Sequence, residues 1–344
     1  MSNSLKPMNS NGVNPCKVTP RSIGGTESTP NPLRQVQSRT GNYRLAFRSI
    51  VVTWTVLFLV AFSGLVQSAS FSNPDLKANA LVIGIEGAYK PWGYTTSDGS
   101  LTGLEIDLFR DLCQRMHVRC TFKSQNWSGL IPSLLSGKFD MIVGLSINDT
   151  RRNVIEFSIP YAVDPSGFVT TKDAKLKVLD ELGDPSVRID LDNAPEVAAK
   201  SIRSMRRVLD GYTIGAQVGT SNMAFLRQHF RNLVKIREYD TIEQHNLDLT
   251  TGRIDAVFAH QQATHSIMLS SGDCSKLELT GPAFVGGVFG IGIGVGLRKG
   301  DTELERALNA AISSAQTDGT LTRLFLKWFG VDLSPVSKPD EENP

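Results

Sequence analysis

The chain of 344 residues is 40% apolar and 20% charged, with a formal net charge of +2. Its length accommodates about two domains. A charge so close to balance excludes an argument for nucleic-acid binding from bulk electrostatics.

Residues 1–48 carry Lys6, Lys17, Arg21, Arg34, Arg39, Arg44 and Arg48 against one acid, Glu27. This stretch is rich in Ser, Asn, Pro, Gly and Thr and has no periodicity, so it reads as a disordered basic tail. An apolar segment follows over 49–68, with its core at 50–66. That core is shorter than the roughly 20 residues a spanning helix needs. The preceding positive charge and the Val66-Gln67-Ser68 stretch fit an export signal cleaved near Ser68. An uncleaved anchor with the basic tail inside is the competing reading, and both place the remainder outside the inner membrane.

Beyond it, 81–85 reads as a strand, Ser97-Asp98-Gly99 as a hairpin turn and 105–116 as an amphipathic helix burying Ile106, Leu108, Phe109 and Leu112. A strand over 119–123, a short helix over 130–136 stopped by Gly137, and a strand over 141–143 complete a parallel-sheet unit. Extended segments then lead through a polar, helix-prone insert at 192–211. A second unit follows with strands at 212–216, 234–239 and 254–259 and helices over 223–230 and 241–252. The two units share a rhythm: "LLSGKFDMIVG" in the first matches "LTTGRIDAVFA" in the second. The glycines of "GGVFGIGIGVGLRKG" suggest close backbone packing, since no Gly-Lys-Ser/Thr follows to make a phosphate loop. Helices over 302–316 and 320–329 finish the chain, with Leu304, Leu308, Ile312, Leu321, Leu324, Phe325 and Trp328 as core stripes.

Of the four cysteines, Cys16 lies in the tail and Cys274 in a polar loop, where a free thiol is expected. Cys113 and Cys120 flank a helix-to-strand turn, a separation that disulfide geometry allows. In an oxidising compartment a bond between them is expected. In the cytosol they would be half-buried thiols. With no second pair nearby they make a poor metal site, and no motif calls for a metal or a cofactor.

In their order and spacing, "IGIEGAYKPWGY", "LTGLEIDLFRDLCQRMHVRC", "NWSGLIPSLLSGKFDMIV", "LSINDTRRNVIEFSIPY" and "LDLTTGRIDAVFA" resemble one family. It is the periplasmic substrate-binding proteins of ABC importers for polar amino acids. The chain is most similar to the lysine/arginine/ornithine and opine (octopine, nopaline) binders, and the insert resembles the opine branch. The resemblance covers about residues 80–333. It implies an α/β, two-lobed type II periplasmic-binding-protein fold (a Venus flytrap) with two crossover strands. Lobe 1 is expected over 78–168 plus 285–335, and lobe 2 over 169–284. It further implies a monomer that binds a small amino acid or opine without catalysis and serves a permease in the inner membrane. The basic-amino-acid binders carry a disulfide of the same spacing as Cys113 and Cys120.

Carried over residue by residue, the resemblance makes Arg151 the grip on the ligand's α-carboxylate, a fork of donors facing a planar anion. Ser146 adds its hydroxyl to that clamp. Gly144 stands where relatives carry a larger side chain, on a strand end one residue shorter, which widens the pocket. Thr220 precedes a helix whose amino end suits a carboxylate, although an ordinary N-cap explains it equally. Gln217 and Asn222 are polar neighbours for the far end of the ligand. Tyr89 and Trp127 are the aromatic walls, with core packing as the plain alternative for Trp127. Glu86 implies a cationic ligand tail, against a solvated loop acid as the bland reading. His260 is the departure: amino-acid binders usually have Asp there to hold the α-ammonium. An imidazole suits the extra carboxylate of an opine better, unless the ring is turned outward.

A second reading is an enzyme. Cyclohexadienyl dehydratases share the fold and the carboxylate-clamping arginine, and would need His260 as general acid. Glu86 and the aromatic pair favour a cationic ligand over prephenate. A sensory module anchored through 50–66 is a third reading, with no signalling domain to support it.

Overall fold

The computed structural model describes residues 80–172, 184–262 and 277–335. The expectations for the tail at 1–48, the apolar segment at 49–68, Cys16 and Cys274 lie outside the described residues. Among the described residues no helix is long and apolar enough to cross a membrane.

Strand β1 (Leu81–Ile85) has all but one of its side chains buried. A small antiparallel ribbon of β2 (Ala88–Tyr89), β3 (Gly93–Thr95) and β4 (Leu101–Thr102) follows. Helix α1 (Leu104–Arg115) then leads to β5 (Cys120–Ser124). Cys113 and Cys120 are joined by a disulfide across this turn, with Cα atoms 6.2 Å apart. A 3-10 turn at Trp127–Gly129 runs into α2 (Leu130–Leu135), and β6 (Met141–Ser146) extends past its expected end. Helix α3 (Asp149–Arg152) and β7 (Glu156–Phe157) close the unit.

The sheet order is β5-β1-β6-β14-β7, where β14 is Ile293–Leu297. The three strands expected to be parallel are so, but β14 lies antiparallel between β6 and β7. A mixed sheet replaces the purely parallel one because the returning glycine-rich strand runs opposite to β6. Helices α1, α7 (Thr302–Thr317) and α8 (Thr320–Phe329) cover one face, through Ile106, Phe109, Leu308 and Phe325. Leu130 and Leu134 of α2 cover the other.

The second sheet has six strands in the order β11-β10-β12-β8-β13-β9. These are β8 (Ser166–Thr171), β9 (Arg188–Asp190), β10 (Thr213–Gln217), β11 (Lys235–Tyr239), β12 (Ala256–His260) and β13 (Leu277–Val285). The insert forms α4 (Pro195–Val208), which starts on a proline where the missing N–H costs nothing. It packs with α5 (Ser221–Phe230) on one face around Ile202, Met205, Phe225 and Phe258. Helix α6 (Ile242–Thr250) covers the other, with its Leu249 in one cluster with Val257 of β12.

The chain crosses between the sheets twice, from β7 to β8 and from β13 to β14. The crossings touch: Tyr161 N–H donates to the Ile293 carbonyl at 2.9 Å, and Ile293 N–H donates to the Ala162 carbonyl at 2.8 Å. Gly290, in the second crossing at φ 71°, passes so close to the Ile147 carbonyl that a Cβ would collide with it.

One irregularity aims the site. Along β6, Met141 and Val143 face one core and Ile142 the other. Gly144 then adopts φ 82°, and Leu145 and Ile147 fall on the Ile142 side. The register against β14 shifts at the same place, with two residues of β6 between Ile142 and Leu145 where β14 has one between Gly296 and Gly294. This is a β-bulge, which re-aims the side chains beyond it.

Closing a short loop, the disulfide restricts the unfolded chain more than the folded one. Replacing Cys113 and Cys120 together by Ser is expected to cost about 2 kcal/mol in a denaturant titration. An unchanged midpoint would show that the bond does not contribute to stability.

Candidate ligand-binding site

A cavity lies where the carboxyl ends of β1, β6, β10 and β12 meet, the place open α/β sheets reserve for ligands. About 570 Å³ of it is free of atoms, part of that open to solvent. The structure brings Glu86, Tyr89, Trp127, Gly144, Ser146, Arg151, Gln217, Thr220, Asn222 and His260 together on its walls.

Arg151 is 8% exposed and comes from α3 just past the bulged strand. Asn148 caps that helix, its Oδ1 accepting from Arg151 N–H at 3.0 Å. The guanidinium donates to the carbonyls of Ser146 at 3.0 Å and Gly219 at 3.4 Å, and its carbon lies 5.3 Å from the centre of the Trp127 ring. Trp127 therefore packs on the arginine, and its indole N–H donates to the Gly219 carbonyl at 3.1 Å. Among the described residues no carboxylate pairs with Arg151. Burial alone pulls its pKa down to about 10. A buried cation that bonds only neutral groups is costly and wants an anion.

Two carboxylates line the same cavity. Glu86 follows β1, and its Oε1 accepts from the Gln217 amide at 2.5 Å. Burial raises its pKa to about 7, the Gln217 hydrogen bond pulls it down, and the charge of Glu243 pushes it up again. Glu105, in the first turn of α1, is 3% exposed. Its Oε1 accepts from the Tyr161 hydroxyl at 2.5 Å, and the Tyr161 oxygen in turn accepts from Gly144 N–H at 3.0 Å. Burial raises Glu105 to about 7 as well, against the Tyr161 bond and with Glu86 adding to the rise. Gly144 makes room for this carboxylate: a Cβ there would sit 3.1 Å from Glu105 Oε1.

The second sheet supplies the remaining wall. Thr220 is the N-cap of α5, accepting from Met223 N–H at 3.2 Å while its hydroxyl donates to the Gln217 carbonyl at 2.7 Å. The plain capping role thus holds, and it keeps the helix amino end turned to the cavity. Asn222 is buried, and its Oδ1 has no hydrogen-bond partner among the described residues. His260 ends β12, with Nδ1 2.8 Å from the Asp164 carbonyl and 3.4 Å from Ser166 Oγ. A carbonyl only accepts, so Nδ1 carries the proton. Nε2 is then an acceptor in the neutral ring and a donor in the protonated one.

Three comparisons bear on this geometry. The model of the bacterial extracellular solute-binding proteins, family 3, matches residues 81–331. The chain belongs to this family.

Among its relatives, the octopine-binding periplasmic protein of Rhizobium meliloti is 36% identical over 81% of this chain and 96% of its own. The L-arginine-binding protein of Pseudomonas aeruginosa is 30% identical over 80% and 97%. A solved structure of a His/Glu/Gln/Arg/opine family-binding protein from Silicibacter pomeroyi, in complex with lysine, superposes with a TM-score of 0.57 at 29% identity. It covers 74% of this chain and 99% of that one. The fold is therefore the two-lobed type II solute-binding fold, and the chain is a solute-binding receptor of that family.

Of the wall residues not named from the sequence, two are polar, Ser221 and Glu105. Ser221 receives the Asn148 side-chain amide at 3.2 Å between the two sheets. Glu105 is the greater omission. It lies at helical spacing before Leu108, Phe109 and Leu112, so an acid on the apolar stripe of α1 was the available signal.

The raised carboxylates have a consequence for stability. A folded-state value near 7 against an ordinary 4.5 means that the folded chain favours protonated Glu105. Its charge costs nothing at pH 4, and the cost grows as pH climbs from about 4.5 through about 7. Glu105→Gln is expected to raise ligand-free stability at pH 8 by about 1–3 kcal/mol and to leave it nearly unchanged at pH 4. Urea titrations at the two pH values check this, and an equal shift at both would contradict it.

Proposed function

We propose that this family-3 receptor captures a basic amino acid or an opine-like derivative and delivers it to an ABC import permease in the inner membrane. It acts as a periplasmic monomer, without catalysis or cofactor, and residues 49–68 supply its export signal or anchor. The units at 78–168 plus 285–335 and at 169–284 are the lobes that close on the ligand. The observation that carries this reading is the polarity of the cavity. Among the described residues, an arginine with no paired anion and two carboxylates with no paired cation line the same space. A zwitterion with a cationic tail matches both ends, its carboxylate on Arg151 and Ser146 and its tail at Glu86.

His260 points the reading toward opines. An aspartate there would repel a second carboxylate, whereas an imidazole places no fixed negative charge against one. The octopine-binding relative, 36% identical, supports this direction. The dehydratase reading fares worse on electrostatic grounds. Prephenate is a dianion with no cationic group, and Glu86 and Glu105 would both face it unpaired.

Thermal unfolding of the mature chain with arginine, ornithine, lysine, octopine and nopaline tests the proposal. A ligand at roughly 100 times its Kd adds about 2.7 kcal/mol of stability. A shift with octopine or nopaline alone selects the opine reading, and a shift with free arginine, ornithine or lysine selects the basic amino acids. No shift with any of them, together with turnover of prephenate to phenylpyruvate, would replace the receptor by the enzyme. His260→Asp is expected to weaken octopine by at least about tenfold, or 1.4 kcal/mol, while sparing arginine. Equal effects on both would remove His260 from the specificity argument.

A further inference from the structure

Glu105 occupies a position that a cation-binding role for Glu86 alone does not explain. It is an acid on the buried stripe of α1, among Ile106, Leu108 and Phe109, yet it lines the cavity. Two features hold it there. Tyr161 donates its hydroxyl to Oε1, and Gly144 leaves the space beside the carboxylate empty. A neutral side chain would fill this site without desolvation cost.

We infer that Glu105 is a second ligand-selecting residue, forming with Glu86 a two-carboxylate subsite that admits a cationic group in exchange for a proton. The inference rests on the reading of the cavity as a receptor for a cationic ligand.

The surroundings of the pair leave it short of positive charge. Glu105 on α1 is faced by Tyr161 from the first crossing, by Gly144 N–H through that hydroxyl, and by Glu86 and Tyr89 from beyond β1. Glu86 is faced by the neutral Gln217 of β10 and by the negative charge of Glu243 of α6. Asp164, whose charge reaches Tyr89, adds to the negative side. Arg151 is the one lysine or arginine among the described residues lining the cavity, and its guanidinium is held by the Ser146 and Gly219 carbonyls. His260 reaches the cavity from β12 with Nδ1 on the Asp164 carbonyl. In the empty site the carboxylates therefore retain protons near neutral pH, as their raised values of about 7 agree. A guanidinium keeps its own proton at any physiological pH. When it enters, it supplies the missing positive charge, the carboxylates ionise, and the displaced proton passes to the solvent buffer. Affinity then rises with pH through the neutral range and levels off once the empty site is already ionised.

Isothermal titration of the mature protein with L-arginine and with octopine reads this exchange directly. The apparent enthalpy at pH 7 is measured in phosphate and in Tris, whose heats of ionisation differ, and the difference gives the protons released. Roughly one proton per ligand is expected at pH 7, rising toward two at pH 5.5, so affinity climbs by between about tenfold and a hundredfold per pH unit over that range. Glu105→Gln should lower the proton count, flatten the pH profile and reduce the preference for arginine over its neutral analogue citrulline. Tyr161→Phe removes a bond that favours the ionised carboxylate, so the midpoint of the profile should move to higher pH. Binding with buffer-independent heats, or Glu105→Gln keeping the wild-type proton count, would overturn the inference and leave the cation receptor standing. Binding of neither probe between pH 5.5 and 9 would overturn the receptor reading and the inference with it.

Discussion

The hydroxyl of Tyr161 is the tie on which the site depends. It accepts from the backbone of Gly144 and donates to Glu105, so three parts of the chain converge on one oxygen. These are the crossing between the sheets, the bulged end of β6 and the first turn of α1. Tyr161 is fully buried and packs edge-on against Trp92 and Phe109, which fixes the ring before the hydroxyl makes its bonds. The same residue pairs through its backbone with Ile293 on the returning crossing. One of the two crossings between the sheets is thereby joined to the carboxylate that faces the cavity.

The bulge at Gly144 explains why the clamp lies where it does. With an unbroken strand, alternation would turn Leu145 toward α1 and send Ser146 to the opposite face. The extra residue reverses the phase, puts Leu145 against α2 and delivers Ser146 to the cavity just ahead of the helix that carries Arg151. Only glycine meets both demands at this position, a positive φ and clearance for the Glu105 carboxylate.

Charge separation within the cavity is maintained at a cost to the fold. Arg151 and the Glu86–Glu105 pair line the same space without forming an ion pair, and each is desolvated. The protein reduces the cost locally, with carbonyls and an indole face for the cation and neutral donors for the acids. These contacts leave each charge incompletely satisfied, the condition in which a ligand of matching polarity gains most on binding. Among the described residues, direct bonds join the two units beside this cavity from Trp127 and Arg151 to Gly219, from Asn148 to Ser221 and Val288, and between Glu86 and Gln217.

The sequence by itself determined most of the helices and several of the strands, though not where β6 ends. Apolar periodicity located α8 at 320–329 and β1 at 81–85 to the residue, and the shared rhythm of the two halves gave two units. The ten wall residues named in advance came from the resemblance to the family, carried over position by position, and strand ends agree with it because they have a fixed place in an α/β sheet. What only the tertiary structure decided were features made by residues far apart in the chain. The antiparallel entry of β14 depends on a pairing between β6 and a strand near the end of the chain. The phase reversal at Gly144 appears only against that partner. Trp127 turned out to stack on Arg151 because both meet the Gly219 carbonyl of the other unit. Glu105 read locally as an ordinary acid in a helix's first turn, where negative charge is favoured. Its meaning came from burial, which is set by everything that packs around it.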